Sequence, residues 1–365
     1  MRCNLKNPKR IGKSTKNFKN FLTKLCKRLY NGVALLKMKA HHKQMPGNAG
    51  WEDTVMKKFA TIALTFAMAA ASACASATTV GICQLVQHEA LDAATQGFKD
   101  ALTEKMPDVK FDEQNAAGDA ATCVTITSKF AADGVDLILA NATSPLQAAV
   151  SATGDIPILG TSITDYATAL GMKEWNGTTG INVSGTSDLA PLDGQAAMIQ
   201  ELFPDAKNIG LIYCSAEANS VYQITTIKGY LEEMGYTCTE FAFTDSNDVA
   251  SVTQSAADSS DVVYIPTDNT AAAYTETIAN VLIPAKVPAV VGEEGICKGC
   301  GVATLTISYY DLGYKTGEMA YDILANGADI STMKIESAPN FTKKYNAVNA
   351  EALGLTMPAD YVAIE

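Results

Sequence analysis

From residue 79 onward, short apolar runs alternate with amphipathic stretches, the pattern of a parallel sheet covered by helices on both faces. Thr79–Val86 is the first run, and Glu89–Met106 follows as a helix with Leu91, Ala94, Phe98 and Leu102 on one stripe. Strands are predicted at Val109–Gln114, Val135–Ala140 and Ile156–Leu159, with helices at Ala120–Ala132 and Pro145–Ser151 between them. Asp133-Gly134 is the turn signal that ends the second helix. A polar stretch, Gly185–Asp193, interrupts the alternation, which then restarts. Helix Gly194–Phe203, strand Asn208–Tyr213, helix Ser220–Met234, strand Thr237–Phe243 and helix Asp248–Ala257 lead to strand Val262–Ile265, helix Thr270–Val281 and strand Ala289–Val291. Tyr310–Asn326 is one more amphipathic helix, and Ile335–Pro358 is less regular. Two βαβ blocks of similar size predict an α/β fold of two doubly wound, Rossmann-like domains. Their strand ends would face a common cleft that closes over a small ligand by hinge motion. The clearest instance is Pro266-Thr267-Asp268-Asn269-Thr270, where an apolar strand ends in hydroxyl and carboxylate side chains just as a helix begins.

Residues 1–55 do not share this pattern: they carry 13 Lys+Arg against 2 acidic residues, without sustained apolar periodicity. Met56-Lys57-Lys58, the apolar run Phe59–Ala73 and Ala75-Ser76-Ala77 then follow in the order of a secretory signal peptide. The apolar core is too short to span a membrane. The sequence therefore predicts residues 1–55 as an upstream misread or disordered basic segment and 56–77 as the signal peptide. The mature chain, Thr78–Glu365, is expected to be periplasmic or extracellular. A basic nucleic-acid-binding tail is the alternative for residues 1–55. Ala71-Ser72-Ala73-Cys74 partly matches a lipobox, so a lipid anchor at Cys74 is the alternative to cleavage after Ala77.

Loss of residues 1–77 takes the formal charge from −11 to −24, which excludes nucleic acid as a partner of the mature chain. Thr78–Glu365 contains no arginine and one histidine, His88. A lone histidine and no Gly-x-Ser-x-Gly elbow argue against a hydrolase. Six cysteines, at 83, 123, 214, 238, 297 and 300, suggest disulfides in an exported chain. The pairs expected are Cys297–Cys300, which are local, and Cys214–Cys238, which end and begin neighbouring predicted strands; buried free thiols are the alternative. A redox role for the Cys-x-x-Cys is disfavoured by its glycine-rich setting, and zinc by the lack of a second dithiol. No metal and no cofactor are expected.

Several blocks carry a resemblance. Gln84-Leu85-Val86-Gln87-His88, Ala142-Thr143-Ser144-Pro145, Thr164-Asp165 and Asn182 to Asp188 are similar to the ABC-transporter substrate-binding lipoproteins of the aromatic amino acid (tryptophan/tyrosine) type. So are Ser215 to Ser220, Ile265 to Asn269, Gly292-Glu293-Glu294-Gly295 and Tyr309-Tyr310-Asp311-Leu312-Gly313, in the family's order. Glu89 stands where that family would have proline, and the cysteines are unusual for it. The resemblance implies a type I periplasmic-binding fold with three crossovers, its lobes formed by 78–187 plus 306–327 and by 188–305 plus 328–365. It implies a monomer that captures tryptophan, tyrosine or phenylalanine and delivers it to an ABC permease. A ligand-presenting sensor domain, or a receptor for a branched-chain amino acid or other small molecule, is the alternative.

An amino acid's carboxylate needs donors, and without arginine these must be hydroxyls, backbone N–H groups and helix N-termini. Ser144, an N-cap candidate beside Thr143 and before Pro145, is assigned to it, together with Ser162 and Thr164 after the next strand; Asp165 adjoins them. The ammonium needs an acid, for which Asp268, Glu293 and Glu294 are the candidates; the resemblance favours Glu294. Gln87 and His88 end the first strand. Asn182, Ser184 and Asp188 lie at the crossover, and Glu217, Asn219 and Ser220 in the second domain's first loop; Thr267 and Asn269 flank Asp268. Tyr222, Tyr309 and Tyr310 are candidates for an aromatic wall. The plainer alternative is that these hydroxyls and acids only cap helices.

Overall fold

The structure, a computed structural model, describes residues 77–364. The expected signal peptide, its cleavage site, Cys74 and residues 1–55 lie outside the described residues. The first lobe is built on strands β1 (Thr79–Gln84), β2 (Lys110–Asn115), β3 (Leu137–Asn141), β4 (Ile158–Ile163) and β5 (Val183–Ser187). Helices α1 (Glu89–Lys105), α2 (Ala120–Asp133), α3 (Thr143–Ala152) and α4 (Tyr166–Leu170) connect them. The strands are parallel and ordered β5-β4-β3-β1-β2. Strands β3 and β4 are buried along their whole length, as expected when both faces are covered. Alternate residues serve opposite faces: Leu137 and Leu139 join Phe98 and Leu102 on one side, while Ile138 and Ala140 join Phe130 and Leu146 on the other.

The second lobe repeats the plan. Strands β6 (Asn208–Cys214), β7 (Thr237–Phe243), β8 (Val262–Ile265), β9 (Ala289–Val291) and β10 (Ala303–Thr306) are parallel, in the order β10-β9-β8-β6-β7. Their helices are α5 (Leu192–Leu202), α6 (Ala218–Glu233), α7 (Val249–Ala257), α8 (Asn269–Ala273), α9 (Thr275–Ala285) and α10 (Glu294–Gly299). Where one helix was expected over Thr270–Val281, the chain breaks at Tyr274 into α8 and α9. Helix α4 and strands β5 and β10 lie where the sequence predicted no element.

The chain crosses between lobes three times. After β5 it enters α5; after β10 it returns as α11 (Tyr309–Leu324), which packs along α1. The third crossing follows β11 (Glu336–Ser337), which pairs with β5 at the edge of the first sheet. The return therefore lies between Ser337 and Thr342, not at 327/328 as the resemblance implied. Two exposed residues give no periodic signal, so this strand was invisible beforehand. Strands β12 (Thr342–Tyr345) and β13 (Val362–Ala363), with α12 (Ala347–Leu353) between them, complete the second lobe; β12 runs antiparallel to β10.

The expected disulfides are absent: all six described cysteines are free thiols. Parallel pairing aligns Ile209 with Cys238 and Cys214 with Phe243, so Cys214 and Cys238 sit at opposite ends of the β6–β7 pair. Five residues of strand separate them by about 17 Å, far beyond the Cα spacing a disulfide spans. Cys297 lies within helix α10 rather than in a turn, with Cys300 at its C-cap; both are buried, and the Cys300 thiol donates to the Ile296 carbonyl at 3.4 Å.

Candidate functional site

The carboxyl ends of β3 and β4 hold two backbone irregularities side by side. Ala142, between β3 and α3, has φ 99°, and Ser162, near the end of β4, has φ 56°. Such conformations cost a non-glycine residue on the order of 1–3 kcal/mol and concentrate at ligand sites. Helix α3 starts at Thr143, one residue earlier than a Ser144 N-cap would require. Its N-cap is Ala142, and no side chain caps it. Helices α2, α4, α8, α10, α11 and α12 are capped by Asp119, Asp165, Asp268, Glu293, Ser308 and Asn346, whereas α1, α5, α6, α7 and α9, like α3, carry no side-chain cap. The Ser162 hydroxyl is buried and has no hydrogen-bond partner among the described residues. Uncapped N–H groups and an unused hydroxyl thus share the ends of two adjacent strands.

On the second lobe, the acids are consumed internally. Asp268 accepts from the Ala271 N–H at 2.8 Å with Oδ1, and from the Cys214 N–H and Ser220 hydroxyl, both at 2.7 Å, with Oδ2. Glu217 Oε1 accepts from the Thr270 N–H and hydroxyl at 2.9 and 2.8 Å; its Oε2 accepts from the Asn269 amide side chain at 2.6 Å and from Asn219 at 3.1 Å. Glu293 accepts from the Gly295 and Ile296 N–H groups at the start of α10. Glu294 is half-buried and pairs with Lys344 at 2.7 Å. Burial pushes Asp268 up to about 7, with the Glu217 charge adding to the shift, and burial pushes Glu293 up to about 7.

The lobes touch across the cleft. His88 Nε2 lies 3.3 Å from Asn269 Oδ1, and burial lowers its pKa, so the ring is neutral. Gln223 Nε2 donates to Thr164 Oγ1 at 3.5 Å, and its Oε1 accepts from the Thr267 N–H at 3.1 Å. Tyr309, at the second crossing, donates to Asp188 Oδ2, at the first, at 2.9 Å. Asp188 is buried, and that burial pushes its carboxyl up to about 6. A cavity of ≈ 430 Å³ opens between the lobes, lined by Leu85, Val86, Ser144, Glu217, Asn269 and Thr270 among others. A second, of ≈ 260 Å³, lies toward the crossings beside Glu89, Glu294, Tyr309 and Lys344.

Three buried acids with raised pKa values give a stability prediction. Asp188, Asp268 and Glu293 each hold a proton at a higher pH when folded than when unfolded. Their contribution is fully present below the unfolded carboxylate range and is lost as pH rises through about 6 to 7. The ligand-free protein should therefore melt roughly 5 °C higher at pH 5.5 than at pH 7.5. A melting temperature that is flat or falls on acidification would contradict the placement of these acids.

The sequence-nominated residues separate into groups. Thr143, Ser144, Ser162, Thr164, His88, Glu217, Asn219, Ser220, Thr267, Asp268 and Asn269 come together at the cleft. Asn182 and Ser184 do not: they begin β5, at the end away from the cleft. Asn182 donates to the Ile156 carbonyl at 2.7 Å and Ser184 to the Met333 carbonyl at 3.2 Å. Gln87 is exposed, and Asp165 caps α4 through the Thr168 N–H at 2.7 Å. Tyr310 is exposed and bonds Asp100 at 3.0 Å; of the three tyrosines, Tyr309 is the one enclosed at the crossings. Gln223, which bridges the lobes from the middle of α6, went unnoticed because nothing local distinguishes it from any other buried helical glutamine.

Comparison with known proteins decides the family. A match to the family described as ABC transporter substrate binding protein spans residues 79–363. The chain belongs to that family. This substrate-binding protein is 39% identical over 249 residues to a tyrosine-binding protein of Clostridioides difficile (strain R20291), covering 67% of this chain and 72% of that one. Among solved structures it resembles an ABC domain from Streptococcus pneumonia in complex with L-Trp, with TM-score 0.74 and 32% identity over 78% of this chain and 97% of the other. It also resembles a Clostridium difficile substrate-binding protein with adhesive properties in its ligand-free, open structure, with TM-score 0.61 and 37% identity over 79% and 99%. The lower score against an open structure, despite the higher identity, accords with the lobe-to-lobe contacts of this substrate-binding protein. Its fold is the type I periplasmic-binding fold.

Proposed function

We propose that this protein captures an aromatic amino acid, tyrosine or tryptophan, outside the cytoplasmic membrane and hands it to an ABC permease, with no chemical step of its own. One observation carries the site: the Ser162 hydroxyl, buried without a partner among the described residues at φ 56°, beside the uncapped start of α3. A ligand carboxylate at that position would accept from Ser162 Oγ and from the free N–H groups of Thr143 and Ser144. It would thereby supply the cap that Ala142 lacks, and the helix dipole favours the negative charge there. The choice of ligand draws on the tyrosine-binding relative and on the L-Trp complex. Hinge closure follows from contacts that exist only when the lobes meet, such as Gln223 to Thr164.

The test is calorimetric titration of the purified chain, stripped of carried-over ligand by unfolding and refolding, against the twenty amino acids. Micromolar or tighter binding of tyrosine or tryptophan is expected. Ser162→Ala should weaken it by roughly tenfold or more, the cost of one hydrogen bond to a charged group. Silence across the panel would remove amino acids as the ligand class.

A further inference from the structure

Two thiols that no sequence pattern paired meet in the core of the first lobe. Cys83, on β1, and Cys123, in the first turn of α2, are wholly buried in one apolar cluster, and their side chains hydrogen-bond to each other. Both are free thiols in this structure, 40 positions apart in sequence. Their meeting follows from how α2 lies on β1. Val80 and Ile82 serve one face of the sheet, so Gly81, Cys83 and Leu85 serve the other, toward α2. Phe130 of α2 fills the space that Gly81 leaves: a Cβ there would stand 2.7 Å from the ring. Cys123 lies two helical turns before Phe130 on the same stripe, and Cys83 lies two residues beyond Gly81 on the same strand face. The close seat of Phe130 on Gly81 therefore lays Cys123 against Cys83.

The other four described cysteines are not so placed. The Cys214 thiol donates to the Thr244 carbonyl at 3.7 Å, and that of Cys300 to the Ile296 carbonyl. Cys238 sits at the far end of the β6–β7 pair from Cys214, and Cys297 lies within α10. We propose that Cys83 and Cys123 are joined by a disulfide in the exported protein, tying together the two loops that line the first-lobe side of the cleft. Leu85 and Val86, just past Cys83, line the ≈ 430 Å³ cavity between the lobes, as do Ala117, Gly118 and Ala120, just ahead of Cys123. Two main-chain bonds already join these loops, from the Ala116 N–H to the Gln84 carbonyl at 2.9 Å and from the Gly118 N–H to the Leu85 carbonyl at 2.8 Å. A covalent tie beside them closes a ring that contains β2 and both loops, and narrows the conformations of the unfolded chain.

The chemistry is thiol–disulfide exchange. One cysteine thiolate attacks the disulfide of an oxidant, forming a mixed disulfide and expelling one thiol. The second cysteine thiolate then attacks the first cysteine's sulfur, forming the Cys83–Cys123 bond and expelling the other thiol. Two protons and two electrons thus pass from the pair to the oxidant. Both sulfurs are enclosed in the folded lobe, so the exchange belongs to folding, before α2 has packed. The location proposed above supplies an oxidising disulfide, and nothing else in that reading is needed.

The experiment refolds the purified chain in a mixture of reduced and oxidised glutathione, and separately in excess reductant. Free thiols are then alkylated under denaturing conditions and tryptic peptides are mapped. Oxidised wild type should yield the peptide ending at Lys99 linked to Phe111–Lys129. It should melt roughly 8 °C above the reduced protein, with slower amide exchange at Ala116 and Gly118. Cys83→Ser and Cys123→Ser should each melt at the same temperature in both buffers. Alkylated Cys83 and Cys123 in the oxidised wild type, linkage of either to a different cysteine, or melting and exchange indifferent to reductant would overturn the proposal. Should the variants fail to fold, the wild-type peptide map decides, since it needs no substitution. Glutathione stands in for the cellular oxidant, so failure here falls on the thiol pair and not on the location. Titrating tyrosine and tryptophan into the reduced wild type tests the amino-acid reading separately: binding without a linked peptide overturns the disulfide alone, and a linked peptide without binding supports the disulfide and overturns the amino-acid reading alone.

Discussion

Asp268→Ala is expected to lower the stability of the protein by about 4 kcal/mol, and only through that loss to affect ligand binding. The carboxylate gathers three buried donors from three places in the second lobe: the Cys214 N–H at the end of β6, the Ser220 hydroxyl in α6 and the Ala271 N–H in α8. Removing it leaves all three enclosed without acceptors, each at a cost of about 1–3 kcal/mol, partly offset by relief of repulsion with Glu217. Asp268→Asn keeps an acceptor for the Ala271 N–H but turns an NH₂ toward the other two donors, and should fall between the two. Urea unfolding in the absence of ligand measures the difference. A variant that unfolds at the wild-type midpoint yet loses ligand would make Asp268 a ligand group after all.

That expectation reverses what the sequence suggested for the same residue, and the reason is physical. An aspartate at the junction of a buried strand and a helix looks the same locally whether its oxygens turn to the helix or to a ligand. What decides where such oxygens turn is long-range. The donors to Asp268 come from residues 54 and 48 positions away, and Asp188 is tied to a tyrosine 121 positions away. No window of sequence contains those pairings. The hydroxyl-bearing strand ends at Thr143, Ser144, Ser162 and Thr164 were legible because they follow apolar runs that only a doubly covered sheet can bury. Strand β5, with the sequence VSGTS, was not, since small polar residues gave it no apolar run despite four of its five positions being buried. The disulfide expectation failed for a related reason: cysteine count and strand adjacency say nothing about which ends of two parallel strands face each other.

Gly313→Ala should cost about 3 kcal/mol and lower the melting temperature by roughly 8 °C, although glycine to alanine inside a helix ordinarily stabilises. Helix α11 is the element that ties the second crossing back to the first lobe, and it lies against α1 along Gly97, Gly313 and Gly317. A Cβ on Gly313 would run into the Ala94 carbonyl, and one on Gly97 into the carbonyl of Tyr310. These are backbone atoms of a packed helix pair, which yield only by separating the helices and opening the core around Phe98 and Met319. Gly229→Ala in α6 provides the matched contrast: a Cβ there meets nothing within 4 Å, so the same change should gain up to about 1 kcal/mol. Because Tyr309 starts α11 and bonds Asp188, spreading α1 and α11 should also displace that phenol and weaken ligand capture in the folded fraction. Two substitutions of identical chemistry that shift the melting temperature in opposite directions would establish close helix approach as the cause; equal shifts would leave only propensity.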